Sequence, residues 1–118
     1  MELIFDTHAH YDDPAFDPDR EALLASLPDA GVGLVLDPGC DLPTSRRAVD
    51  LAEKHPHVFA AVGIHPENCA DYRPEDLDVL RDLAKNKKVV AIGEIGLDYH
   101  WEAKTSCWTC LCRLTLIY

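Results

Sequence analysis

The stretch Val89-Val90-Ala91-Ile92-Gly93-Glu94-Ile95-Gly96-Leu97-Asp98 opens as an uninterrupted apolar run and sets a carboxylate between two glycines. A run without polar alternation suits a strand covered on both faces, the pattern of a parallel sheet. Three earlier stretches repeat the theme. Leu3-Ile4-Phe5 ends in Asp6-Thr7-His8, and Gly33-Leu34-Val35-Leu36 and Val58-Phe59-Ala60-Ala61-Val62 follow. Strand starts near residues 2, 33, 58 and 89 are separated by 31, 25 and 31 residues. That is the length of a strand–helix–strand unit with short loops.

The intervening segments carry helical periodicity. Asp17 is placed to cap a first helix with Pro18 at its first position, and Ala22, Leu23 and Leu27 form its apolar stripe before Gly31. A second helix carries Ala48, Leu51, Ala52 and His55 at i, i+3, i+4 and i+7. A third opens at Pro74-Glu75-Asp76, turns Leu77, Leu80 and Ala84 inward, and ends near Lys85-Asn86-Lys87. Acids at its start and bases at its end suit the helix dipole. Four strands alternating with three helices predict an α/β fold: a parallel sheet with right-handed crossovers.

Composition sets the outer limits. The 118 residues are 47% hydrophobic, with a net charge of −10, which suits one modest, ordered domain. A broad basic footprint for nucleic acid is excluded. No apolar run approaches the ~20 residues of a membrane span and no signal peptide opens the chain. The expectation is a soluble, cytoplasmic protein with no membrane partner. All 21 acids lie at or before Glu102, so residues 1–102 carry −12 and residues 103–118 carry +2. The same last residues hold Cys107, Cys110 and Cys112, three of the five cysteines.

Several residues at strand ends are equipped for chemistry. His8 and His10 close the first strand, and in extended chain i and i+2 project to one face. Their imidazoles can converge on one cation, at the carboxyl end where parallel α/β folds place ligands. As an isolated motif the pair suits equally two hydrogen-bonded loop histidines. His55-Pro56-His57 has the same spacing but precedes its strand, at the amino end, and reads as structural or solvated. Glu94 closes the fourth strand, and its two oxygens are able to bridge two cations; the alternative is a strand-end acid paired with a neighbouring base. His65, in Val62-Gly63-Ile64-His65-Pro66, follows the third strand. It contacts a substrate phosphate, supports the metal ligands from behind, or is a loop histidine satisfied by backbone. Asp6 either orients a ligating histidine or bonds its own turn. The convergence of His8, His10, His65 and Glu94 from three strand ends is more specific than any one motif.

Phe5-Asp6-Thr7-His8-Ala9-His10 resembles the opening of the TatD-like metal-dependent deoxyribonucleases. Gly63-Ile64-His65-Pro66 and Ala91-Ile92-Gly93-Glu94-Ile95-Gly96-Leu97-Asp98-Tyr99 resemble two further signatures of that family, in the right order. The resemblance implies a TIM (β/α)8 barrel holding two divalent metals per complete site, magnesium, manganese or zinc, and hydrolysis of DNA phosphodiester bonds from 3′ ends. It implies that His8 and His10 ligate one metal. Glu94 would ligate or bridge both, at the centre of catalysis, and His65 would bind the substrate phosphate. Such a barrel needs about 250 residues. The family's further ligands, two histidines and an aspartate from strands five, six and eight, match nothing here.

The expected organisation is therefore the first four βα units of a barrel over residues 1–102, followed by a divergent tail over 103–118. Cys107-x-x-Cys110-x-Cys112 lacks the fourth ligand and second pair of a zinc knuckle. A frameshift, an altered splice end or a truncated reading frame explains the acid-free composition more simply. Beside the nuclease reading stands a second one: a non-catalytic half-barrel that holds metal weakly and self-associates through open sheet edges.

Overall fold

The computed structural model describes residues 3–96. They form one parallel sheet of four strands, β1 (Ile4–Asp6), β2 (Val32–Pro38), β3 (Val58–Val62) and β4 (Val89–Ile92), in the order β1-β2-β3-β4. Helices α1 (Arg20–Ser26), α2 (Leu42–Lys54) and α3 (Asp76–Ala84) connect them in turn. Spatial order equals chain order, so the winding never reverses. A doubly wound sheet has a switch point where it does, whereas a barrel does not. The expected tail over residues 103–118, with its cysteines, lies outside the described residues.

Local chemistry accounts for the helices. At α2 the Asp41 carboxylate accepts the Thr44 backbone N–H at 2.8 Å while Thr44 Oγ1 accepts the Asp41 N–H at 2.9 Å. Two otherwise orphaned donors are thereby satisfied reciprocally. The stripe then buries Ala48, Leu51, Ala52 and His55 as its spacing predicts. In α3 Leu77 and Leu80 are buried and Ala84 is half-buried.

The first helix differs from expectation. It begins at Arg20, two residues after Pro18, because the preceding chain forms a 3-10 turn at Pro14–Phe16 capped by Asp13. Asp17 does not cap a helix. Its carboxylate accepts from the Arg20 guanidinium at 2.7 Å, and Arg20 also donates to the Tyr11 and Asp13 carbonyls at 2.6 Å each. Of the expected stripe, Leu27 is buried, Leu23 is half-buried against the core and Ala22 is exposed; Leu24 joins the buried side in its place.

The sheet also departs from burial on both faces. α2 packs on β2 and β3, and α3 on β3 and β4, over a core of Leu24, Val35, Val58, Val62 and Leu80. Alternate residues point the other way, and there Leu34 is 41% and Val90 55% exposed. Cover on that face is partial among the described residues: Ala61 is buried and Lys88 Nζ lies 4.5 Å from the Phe59 ring, while Leu34 and Val90 stay open. An uninterrupted apolar run reports apolar surroundings on both sides of a strand, and residues 3–96 supply only part of them.

Leu80 has no exposure and sits where α3 meets the sheet. Leu80→Ala is expected to cost about 2–5 kcal/mol, and Ala22→Ser within about 0.5 kcal/mol of nothing. Urea denaturation of the three proteins measures both, and a Leu80→Ala cost under about 1 kcal/mol would place the core elsewhere.

Candidate metal centre

A parallel sheet gathers its carboxyl ends on one side, and each candidate side chain follows one of those ends. His8 and His10 follow β1, His65 follows β3 and Glu94 follows β4. The position of Glu94 depends on a close approach between backbones. A Cβ on Gly63 would collide with the Gly93 carbonyl, so only glycine lets β4 draw in here, where Gly93 N–H donates to the Val62 carbonyl at 3.1 Å. Buried Ser45 on α2 secures the same point: its hydroxyl donates to the Gly63 carbonyl and accepts the Gly63 N–H, both at 3.2 Å. Beyond Gly93 the chain turns through Glu94 at φ 52°. A side chain there costs about 1–2 kcal/mol of strain. The turn directs the carboxylate back toward the histidines.

His8 Nε2 lies 2.8 Å from Glu94 Oε1 and 3.1 Å from His10 Nε2, and His10 Nε2 lies 3.6 Å from the same oxygen. Ligands held about 2.1 Å from one tetrahedral cation are about 3.4 Å apart. Two imidazoles and one carboxylate at these separations therefore fit a divalent ion, and the donor set suits zinc or manganese as well as a harder cation. The Glu94 side chain is 13% exposed and that of His8 59%, so the negative group is sheltered and one side stays open. A cavity of about 420 Å³ adjoins them, lined also by Cys40, His65 and Asn68.

His65 occupies a different role in this geometry. Its Nδ1 accepts the Glu67 backbone N–H at 3.2 Å, while Nε2 stands 3.7 Å from Glu94 Oε2. A neutral ring accepting at Nδ1 carries its proton on Nε2. It therefore offers the cavity a donor, suited to a phosphate oxygen and not to a cation. Burial, and then the Glu94 charge, push the Cys40 thiol up to about 11. Cys40 thus contributes a neutral wall at neutral pH.

The remaining candidates separate cleanly. Asp6 accepts the His8 backbone N–H at 3.2 Å and so bonds its own turn. His55 pairs with Glu21 at 3.0 Å and His57 with the Leu24 carbonyl at 2.9 Å, both in the structural role expected at the amino end. Two residues escaped sequence reasoning. Asp12 stands 3.7 Å from His10 Nδ1, and Asp37 is buried behind it. The available signal was Asp37 itself, an acid directly continuing the apolar run through Leu36.

Comparison with known proteins bears on this arrangement. A family model described as TatD related DNase matches residues 5–112. The chain belongs to that family. It is 40% identical over 100 residues to an uncharacterised metal-dependent hydrolase, YabD, of Bacillus subtilis, covering 85% of this chain and 39% of that protein. It is 38% identical over 98 residues to a protein of a Pantoea species named 3′-5′ ssDNA/RNA exonuclease TatD, covering 82% and 38%. Among solved structures, the TatD homologue YjjV of Escherichia coli K12 superposes with a TM-score of 0.82 at 32% identity, covering 97% of this chain and 46% of that one. The chain therefore spans about two fifths of the curated TatD-family relatives it matches.

The left-handed turn at Glu94 has a measurable signature. Glu94→Gly is expected to be more stable than Glu94→Gln by about 1 kcal/mol, since both remove the charge and only glycine relieves the strain. Thermal melts without metal compare the two, and equal midpoints would remove strain from the account.

Proposed function

We propose that the chain carries the metal-holding part of a divalent-metal-dependent nuclease that releases nucleotides from 3′ ends of single-stranded DNA. The observation that carries the proposal is the convergence of His8 Nε2, His10 Nε2 and Glu94 Oε1 from two strand ends onto one point. His8 and His10 would hold one cation, and Glu94 would hold it and reach a second through its other oxygen. The bound cations would supply positive charge opposite the scissile phosphate and acidify the attacking water. His65 would donate from Nε2 to a phosphate oxygen and orient it. Glu94 would keep its anionic charge beside the cations, sheltered from water. This division suits a chain of net charge −10. Attraction for a polyanion would come from the ions at the site, with little general basic surface to add to it. The name of the Pantoea relative, with its single-stranded substrates and 3′-5′ direction, supports the substrate class.

A second reading is favoured by the exposed Leu34 and Val90 and by the two-fifths coverage of the relatives. On it, the 118 residues by themselves form a non-catalytic half-barrel that holds metal weakly and self-associates at its sheet edges.

Release of 3′ nucleotides from single-stranded DNA, assayed with magnesium or manganese, distinguishes these. An active chain is expected to lose activity with EDTA, and more than about 100-fold in His10→Ala and Glu94→Ala, because even groups behind the ligands are worth about 10–100-fold. His65→Ala is expected to lower kcat/KM while leaving metal affinity unchanged. Activity surviving in both ligand variants would overturn the site, and an inactive native chain would favour the half-barrel.

A further inference from the structure

His10 has two ring nitrogens, and the metal site uses one. Nε2 faces His8 and Glu94, while Nδ1 turns away and lies 3.7 Å from Asp12 Oδ1. That is about half an ångström beyond hydrogen-bond length, a gap that a small rotation of the ring closes. Most acids of this chain stand in solvent, but the Asp12 side chain is only 5% exposed. Behind it, on β2, Asp37 has no exposure, and neither of its oxygens makes a hydrogen bond of standard geometry among the described residues. Ligating atoms of His10, Asp12 and Asp37 all lie within 4.8 Å of one another.

Two carboxylates enclosed at such a distance cannot both remain charged without compensation. Arg20 is the nearby cation, yet its guanidinium donates to the Tyr11, Asp12 and Asp13 carbonyls and to Asp17. Burial, and then the Asp12 charge, raise Asp37 well above the ordinary carboxyl range. A proton held on Asp37 would have the Asp12 carboxylate beside it as its acceptor. The chain of contacts then runs from Asp37 through Asp12 to the outward nitrogen of His10.

We propose that Asp12 is a positioning residue for His10: its carboxylate accepts a hydrogen bond from Nδ1–H, leaving the Nε2 lone pair turned toward the cation, and buried Asp37 holds Asp12 in that place. The proposal rests on the reading of His10 as a metal ligand. A ligating imidazole generally donates its second N–H to a carboxylate or carbonyl, which sets both tautomer and ring orientation. The competing use of the cluster, a separate cation held by Asp12 and Asp37, would require both acids to be anionic.

The test uses the full 118-residue chain and manganese as the probe, because manganese binds the cysteine thiols poorly. In the metal-free protein, nitrogen-15 NMR of the imidazoles is expected to show the His10 proton on Nδ1. Asp12→Asn is expected to reduce manganese affinity about 10–100-fold, read by titration calorimetry. Asp37→Asn keeps a neutral donor and is expected to stay within about threefold of the native chain, whereas Asp37→Leu loses affinity as Asp12→Asn does. Native affinity in Asp12→Asn, or a His10 proton on Nε2 in the native chain, would overturn the proposal. So would loss of a bound manganese equivalent in Asp37→Asn, which would assign the cluster to a second cation instead. His10→Ala is the separate control: if it binds manganese as well as the native chain, the metal-site reading itself fails, whatever Asp12 does.

Discussion

The absence of a side chain at Gly63 lets the Gly93 carbonyl come against its α-carbon, and the position of Glu94 follows from that contact. Any Cβ would force β3 and β4 apart at their carboxyl ends. Ser45 holds the Gly63 peptide from the helix side with both a donated and an accepted hydrogen bond. β3 and β4 are thereby held close together beside the candidate site. A carboxylate arriving from β4 can then meet imidazoles arriving from β1, with two strands between them.

Local stability is given up at that point. Glu94 occupies a left-handed backbone conformation and its carboxylate is largely removed from solvent. His8 and His10 bring two ring nitrogens to hydrogen-bond distance, 3.1 Å, beside it. Such an arrangement makes physical sense as a set of lone pairs prepared for a positive ion. His65 differs because its proton is committed to Nε2 by the Glu67 N–H. The backbone beside His65 thus sets which of its ring nitrogens presents a proton to the cavity.

Periodicity was legible where one face of an element is apolar and the other polar. The spacing of Ala48, Leu51 and Ala52 marks the buried side of α2, and Leu77 with Leu80 marks that of α3. The start of the first helix was not legible, because Asp17 looks like a cap but is taken by Arg20, a contact that depends on how the 3-10 turn folds back. The apolar run at Leu34 was correctly extended but read as covered on two sides. A strand's sequence records the environment it is suited to, and residues 3–96 provide only part of it.

The strand–helix order and the strand-end placement of His8, His10, His65 and Glu94 were determined by the sequence itself. Apolar runs, helical stripes and i, i+2 spacing are local properties of the chain. Which nitrogen of each histidine faces the cavity, and which acid stands behind His10, was decided only by the tertiary structure. Asp12 and Asp37 are 25 residues apart in sequence, and their meeting depends on β2 lying beside β1 in its observed register. Tautomer and charge respond to such neighbours, and no local pattern encodes them.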